Sequence, residues 1–203
     1  MHCGPGGCTF AAPPGRPAAG DTIFWRADIN PAVLPVEAQP VSARSRDAFD
    51  IRACRHSVVV LRAGGATEHV RLGDGLHHIQ IEVRRGSVLE GPVRLHYDLS
   101  GSAGIEPKLI ALQRLLTLQR LGRFPRTLYP ADRGAQRWMM ALRALDAARA
   151  GASHREIATA LWGEDPVDRD WRGGSDYLRA RVRRMIGIGE AFAKGGYRRL
   201  LIR

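Results

Sequence analysis

The hydrophobic period of the chain changes once, near Gly104, and that single change limits the fold more than any other feature. Before it, strand-like runs occupy Ser57–Leu61, Glu68–Leu72, His78–Val83 and Val93–Leu99, with apolar and polar residues alternating most clearly in the last two. Ile79, Ile81 and Val83 share one face of a strand, as do Val93, Leu95, Tyr97 and Leu99. Gly73-Asp74-Gly75 supplies a turn between two of these runs. After Gly104, apolar residues recur every three or four positions. Strands followed by helices, rather than alternating with them, indicate an α+β fold: a small antiparallel β-rich N-terminal half, then a helical C-terminal half.

Three regions follow from this reading. Residues 1–20, with Pro5, Pro13, Pro14 and Pro17 among glycines, read as a disordered or extended lead-in. Residues 21–104 form the β-rich region, in which Thr22–Val41, interrupted by Pro31, Pro35 and Pro40, suits short edge strands and turns. Residues 105–203 form a helical domain of four helices. The first carries the stripe Leu109, Leu112, Leu115, Leu116 and Leu118 and ends near Gly122; the second runs from about Asp132 to Gly151 with Trp138, Leu142 and Leu145 on one side. The third opens at Ser153 and the fourth at Ser175.

Several classes of protein are excluded. With 203 residues and 44% hydrophobic content the chain can bury a modest core. No run reaches the roughly 18 uncharged apolar residues of a membrane helix. The start Met1-His2-Cys3-Gly4-Pro5 lacks the basic and apolar segments of a secretory signal, which suggests the cytoplasm. Cys3, Cys8 and Cys54 are odd in number and, with His2, too loosely spaced to read as a metal site; His69, His77, His78 and His96 read as sheet histidines rather than ligands. No nucleophile elbow, phosphate loop or metalloprotease motif appears, and Gly187-Ile-Gly189 lacks the rest of a dinucleotide fingerprint. A non-enzymatic protein without cofactor or metal is expected.

Charge separates the halves. The formal net charge is +11, and residues 105–203 hold 20 basic against 10 acidic side chains. Arg172–Arg203 alone has nine basic residues against Asp176 and Glu190. Such a field attracts polyanions. Within this half, Ser153-His154-Arg155-Glu156 fits a capping box opening a short helix whose Ile157, Ala160 and Leu161 must pack on the helix before it. A basic third helix completes a helix-turn-helix unit. That helix sets Leu178, Val182 and Met185 on one side, Arg183 and Arg184 with Asp176 on the other, and Arg179 at the boundary. Ala191–Leu201, around Gly195-Gly196, reads as a basic hairpin or wing carrying Lys194, Arg198 and Arg199. The connection Gly163–Gly174 is too long for a simple helix-turn-helix and holds Glu164, Asp165, Asp168 and Asp170.

The run from Trp138 to Arg203, especially Ser153–Gly163, Asp170–Arg184 and Gly195–Leu201, resembles a proteobacterial family known as a domain of unknown function, whose members include activators of excision and transfer of integrative and conjugative elements. The resemblance covers about the last 100 residues, and Phe24-Trp25-Arg26 more loosely. It implies a transcriptional activator with a variant helix-turn-helix, in some relatives held inactive by a small antiactivator. The expected contacts to double-stranded DNA are Arg155, Arg172, Ser175, Tyr177, Arg179, Arg183, Arg184, Lys194, Arg198 and Arg199, with RNA polymerase or an antiactivator as a further partner. The alternative is a protein-interaction module, an antiactivator or one part of a split regulator, that uses the acidic connection and the strand edges.

Overall fold

The computed structural model describes residues 23–62, 66–102, 104–172 and 176–201, apart from the Arg172 side chain. The lead-in 1–20 and Ser175 lie outside these residues. The architecture is α+β, as the single change of period implies. The described residues fall into two compact units, one extending to Pro130 and joined by the residues from Arg198 onward, the other Ala131–Tyr197.

The first unit is a five-stranded sheet with one helix. Its strands are β1 (Val33–Pro40), β2 (Ser57–Arg62), β3 (Glu68–Gly73), β4 (His78–Arg85) and β5 (Val93–Tyr97), in the order β2-β3-β4-β1-β5. The sheet is mixed, because β1 runs parallel to β4 while every other pair is antiparallel. This corrects two expectations, the all-antiparallel sheet and the edge position of the proline-rich segment. Proline is tolerated inside the sheet for a local reason. The Pro35 carbonyl accepts the Asp98 N–H at 2.9 Å on the β5 side, just past the end of β5. The missing N–H of Pro35 therefore points where the ladder has already stopped, and Pro40 is the last residue of its strand.

The helix α1 (Ile105–Leu121) covers one face of the sheet. Ala111, Leu115 and Leu118 pack among Leu34, Val36, Val70, Leu72, Ile81 and Val83. The stripe read from the sequence is narrower than expected, since Leu109 and Leu116 are exposed. On the opposite face, the Gln80 side chain binds the Ile23 carbonyl and the Trp25 N–H, at 2.7 and 3.0 Å, and Glu82 accepts the Ala27 N–H at 2.8 Å. These two side chains fasten the segment before β1 to the sheet. Asp74 closes the β3–β4 turn by accepting the N–H groups of Leu76 and His77. Those bonds lower its carboxyl to about 2, the His77 N–H contributing most.

The second unit is helical: α2 (Ala135–Arg149), α3 (His154–Trp162), α4 (Glu164–Arg172) and α5 (Tyr177–Ala193). With α1 the described residues form five helices rather than four, because the connection after Gly163 is itself helical. The stretch after Ala191 forms no hairpin: α5 continues to Ala193, and Gly196–Leu200 is a 3-10 turn. The core of this unit consists of Ala141, Ala144, Ile157, Ala158, Val167, Leu178, Val182 and Met185. Ala160, expected to pack, is exposed, and Leu142 is 44% exposed.

Candidate nucleic-acid interface

The basic helix α5 is held by its apolar spine. Leu178, Val182, Met185 and Gly189 follow one another at helical spacing and are all buried. A Cβ on Gly189 would lie 2.6 Å from the Ala141 carbonyl oxygen and 2.8 Å from the Leu145 Cβ, so α2 and α5 meet there at backbone distance. Small residues on α2, Ala141 and Ala144, allow this approach. The opposite side of α5 presents arginine: the Arg183 side chain is 60% exposed and the Arg179 side chain 43%.

The short helix α3 starts as its sequence dictates. The Ser153 hydroxyl accepts the Glu156 N–H at 3.3 Å, and the Glu156 carboxylate accepts the Ser153 N–H at 2.7 Å, which completes the capping box. The bond from the Ser153 backbone holds the Glu156 carboxyl below its ordinary range. Ile157 and Ala158 then bury the helix against its neighbours.

The acidic helix α4 explains carboxylates that are hard to reconcile with a polyanion-binding surface. Its first turn carries Glu164 and Asp165, where the helix dipole favours negative charge, and Pro166 fits there because first-turn N–H groups have no intrahelical acceptor. Asp168 pairs with Arg155 of α3 at 2.7 Å. Asp170 accepts the Leu178 N–H at 3.1 Å and so caps α5 from a different helix. These two carboxylates tie α4 to α3 and to α5, while Glu164 and Asp165 stay exposed.

Two aromatic rings order the arginines further. The Arg179 guanidinium lies 5.0 Å from the centre of the Trp171 ring, and that of Arg181 lies 4.3 Å from the Trp162 ring. Asp176 reaches Arg179 at 3.2 Å and Arg183 at 3.4 Å. The spacing of Asp176 to Arg179 and Arg183, three and seven residues along one helix, is the sequence signal for this cluster. The Arg181–Trp162 stack and the Asp170 cap have no such local signal, since their partners lie in other helices.

The structure brings Tyr177, Arg179, Arg183 and Arg184 together on α5, where Tyr177 is 58% exposed and Arg184 is exposed with no ion pair among the described residues. Arg155 sits on α3, engaged by Asp168. Arg172 ends α4, and Lys194 follows α5. Arg198 and Arg199 are exposed on the 3-10 turn and group with the sheet unit, so Lys194, Arg198 and Arg199 do not form the expected wing. Among the described residues no group of His, Cys, Asp or Glu side chains is arranged to hold a metal, and no helix is long and apolar enough to cross a membrane.

No curated protein matches the chain significantly. Residues 101–202 match the family model RovC_DNA-bd, described as "T6SS, Transcription factor, DNA binding domain". The match begins just before α1 and runs through the helical unit that carries the arginine face. Half of the chain is covered, and the chain therefore belongs to this family of transcription-factor DNA-binding domains.

Proposed function

We propose that the protein is a sequence-specific transcriptional activator that reads double-stranded DNA with α5, on a variant helix-turn-helix built from α3, α4 and α5. The observation that carries this reading is the two-sided character of α5, one side buried through Leu178, Val182 and Met185, the other presenting Arg179, Arg183 and Arg184. Guanidinium groups pair bidentately with guanine edges or phosphates. Tyr177 at the start of α5 and Lys194 at its end extend the contact along the same helix, Arg155, Arg172 and Ser175 supply further phosphate contacts in the helical unit, and Arg198 and Arg199 offer two more exposed cations for phosphate on the sheet unit. The internal use of Asp168 and Asp170 favours DNA binding over the alternative of an acidic docking surface for a protein partner. Activation implies contact with RNA polymerase, and a small antiactivator would act as its regulator. A target within a conjugative element is supported by the sequence resemblance alone, whereas the T6SS description of the matching family points to secretion genes. The family is one of DNA-binding domains rather than enzymes, which agrees with a non-catalytic role.

Gel shifts over a salt series test the reading. Arg179→Ala, Arg183→Ala and Arg184→Ala are each expected to weaken binding by about 1–3 kcal/mol if the residue reads a base, or to lower the salt slope by about one if it clamps a phosphate. Unchanged affinity and slope in all three variants remove α5 from the interface. Selection of bound fragments from genomic DNA identifies the target and separates conjugative from secretion genes.

A further inference from the structure

One edge of the sheet carries backbone groups that are unpaired among the described residues. β5 is the outermost strand beside β1. Its even-numbered neighbours turn toward β1, as the Pro92 carbonyl to the Val41 N–H and the Asp98 N–H to the Pro35 carbonyl demonstrate. The odd-numbered residues turn outward. Val93 exchanges both of its bonds with Phe49, at 2.7 and 2.9 Å. Leu95 and Tyr97, further along the same edge, present N–H and C=O groups that no described residue takes up. The chain before Phe49 curls into two turns, Ser42–Ser45 and Ser45–Ala48, instead of continuing along the edge.

A cleft opens beside this edge, between β5 and the outward side of α1. Its apolar wall includes Tyr97 and Leu116, the latter 48% exposed. Arg46 and Arg120 stand at its rim, exposed and without a carboxylate partner among the described residues. Arg94 is held at 3.3 Å by Asp47, so the rim keeps a positive excess.

We propose that the free edge of β5 and this cleft bind an extended acidic segment of a partner protein by strand addition. An unpaired ladder recognises a peptide backbone in main-chain geometry, which a nucleic acid cannot reproduce. Leu116 and Tyr97 receive alternate apolar side chains of the added strand, and Arg46 and Arg120 receive its carboxylates. Among the described residues Leu95 and Tyr97 are the positions of β5 left unpaired along this edge, so the paired stretch is short and the affinity depends on the arginines. This surface lies in the sheet unit and does not rest on the DNA-binding reading of α5.

The test uses the full chain and a fluorescein-labelled ten-residue peptide of alternating valine and glutamate, followed by fluorescence anisotropy and amide hydrogen exchange. Binding is expected to slow exchange at Leu95 and Tyr97 about tenfold or more. A peptide N-methylated at alternate residues, in one of the two frames available, is expected to bind about tenfold more weakly, as is a peptide with lysine in place of glutamate. The double variant Arg46→Ala/Arg120→Ala and the separate variant Leu116→Glu, all at exposed positions, are each expected to weaken binding by a similar factor. Failure of the peptide to bind, or binding without slower exchange at Leu95 and Tyr97, overturns the proposal. It is equally overturned if a 20-base-pair duplex, and not the peptide, slows exchange at those two amides.

Discussion

Gly189 and Gly187 lie two positions apart on α5 and show how surroundings decide the sign of one substitution. Alanine is favoured over glycine in a helix by about 1 kcal/mol, chiefly through the entropy of the unfolded chain. At Gly187 a Cβ meets nothing within 4 Å, so Gly187→Ala is expected to stabilise the helical unit by about 0.5–1 kcal/mol. At Gly189 the same Cβ collides with the backbone of Ala141, and forcing α2 from α5 outweighs the propensity gain; Gly189→Ala is expected to destabilise by about 1–3 kcal/mol. Urea denaturation of both variants measures the difference, and equal effects would contradict the close helix approach. His69 is a second case. It is 6% exposed, its Nδ1 has no partner among the described residues, and burial pushes its pKa down, against the pull of Glu82 and with the push of Arg26. A lowered folded pKa means that the unfolded chain takes up the proton first, so stability declines as pH falls below the unfolded value of about 6.5. Denaturation midpoints at about pH 7.5 and about pH 5.5 are expected to differ less in His69→Leu than in the natural chain.

Helices α3 and α4 contrast a start that can be read locally with one that cannot. The box at Ser153 and Glu156 needs only a spacing of three residues, and both of its hydrogen bonds form. Ser153→Ala is expected to cost about 1 kcal/mol, seen as a lower denaturation midpoint with unchanged m-value. The nine residues of α4 have poor helix propensity and too few turns to stand alone, so the same stretch reads as a loop. Its helix depends on Val167, fully buried, and on Asp168 and Asp170, whose partners are on α3 and α5. The acidic first turn and Pro166 are nonetheless signs of a helix start. At the other end of α5 the glycine pair Gly195-Gly196 suggests a hairpin, but a hairpin needs two strands with alternating side chains. The residues before the pair instead continue the helix that Gly189 and Met185 anchor.

The positive charge of the chain is unevenly distributed, and its location matters more than its sum of +11. In the sheet, Arg84 is tied to Glu82 and Asp98, and Arg85 to Glu37. Arg85 is on β4 and not on α5, so Arg85→Ala is expected to leave the salt slope of DNA binding unchanged, although it removes the same formal charge as Arg183→Ala, which is also ion-paired; a drop of about one in the Arg85 variant would mean that net charge, not placement, drives association. Strand periodicity, the single change to helical spacing, the capping box and the arginine side of α5 are all legible in the amino acids, because each follows from residue spacing within a single element. The central, parallel place of β1, the folding of an acidic connection into α4 and the capping of α5 by Asp170 are settled only by packing. The partners that decide them are set by the tertiary register. Paired residues of β1 and β4 are 47 or 48 positions apart, as in Val33 with Gln80 and Glu37 with Arg85, and the helices bracing α4 lie before and after it, so no local spacing encodes the pairing.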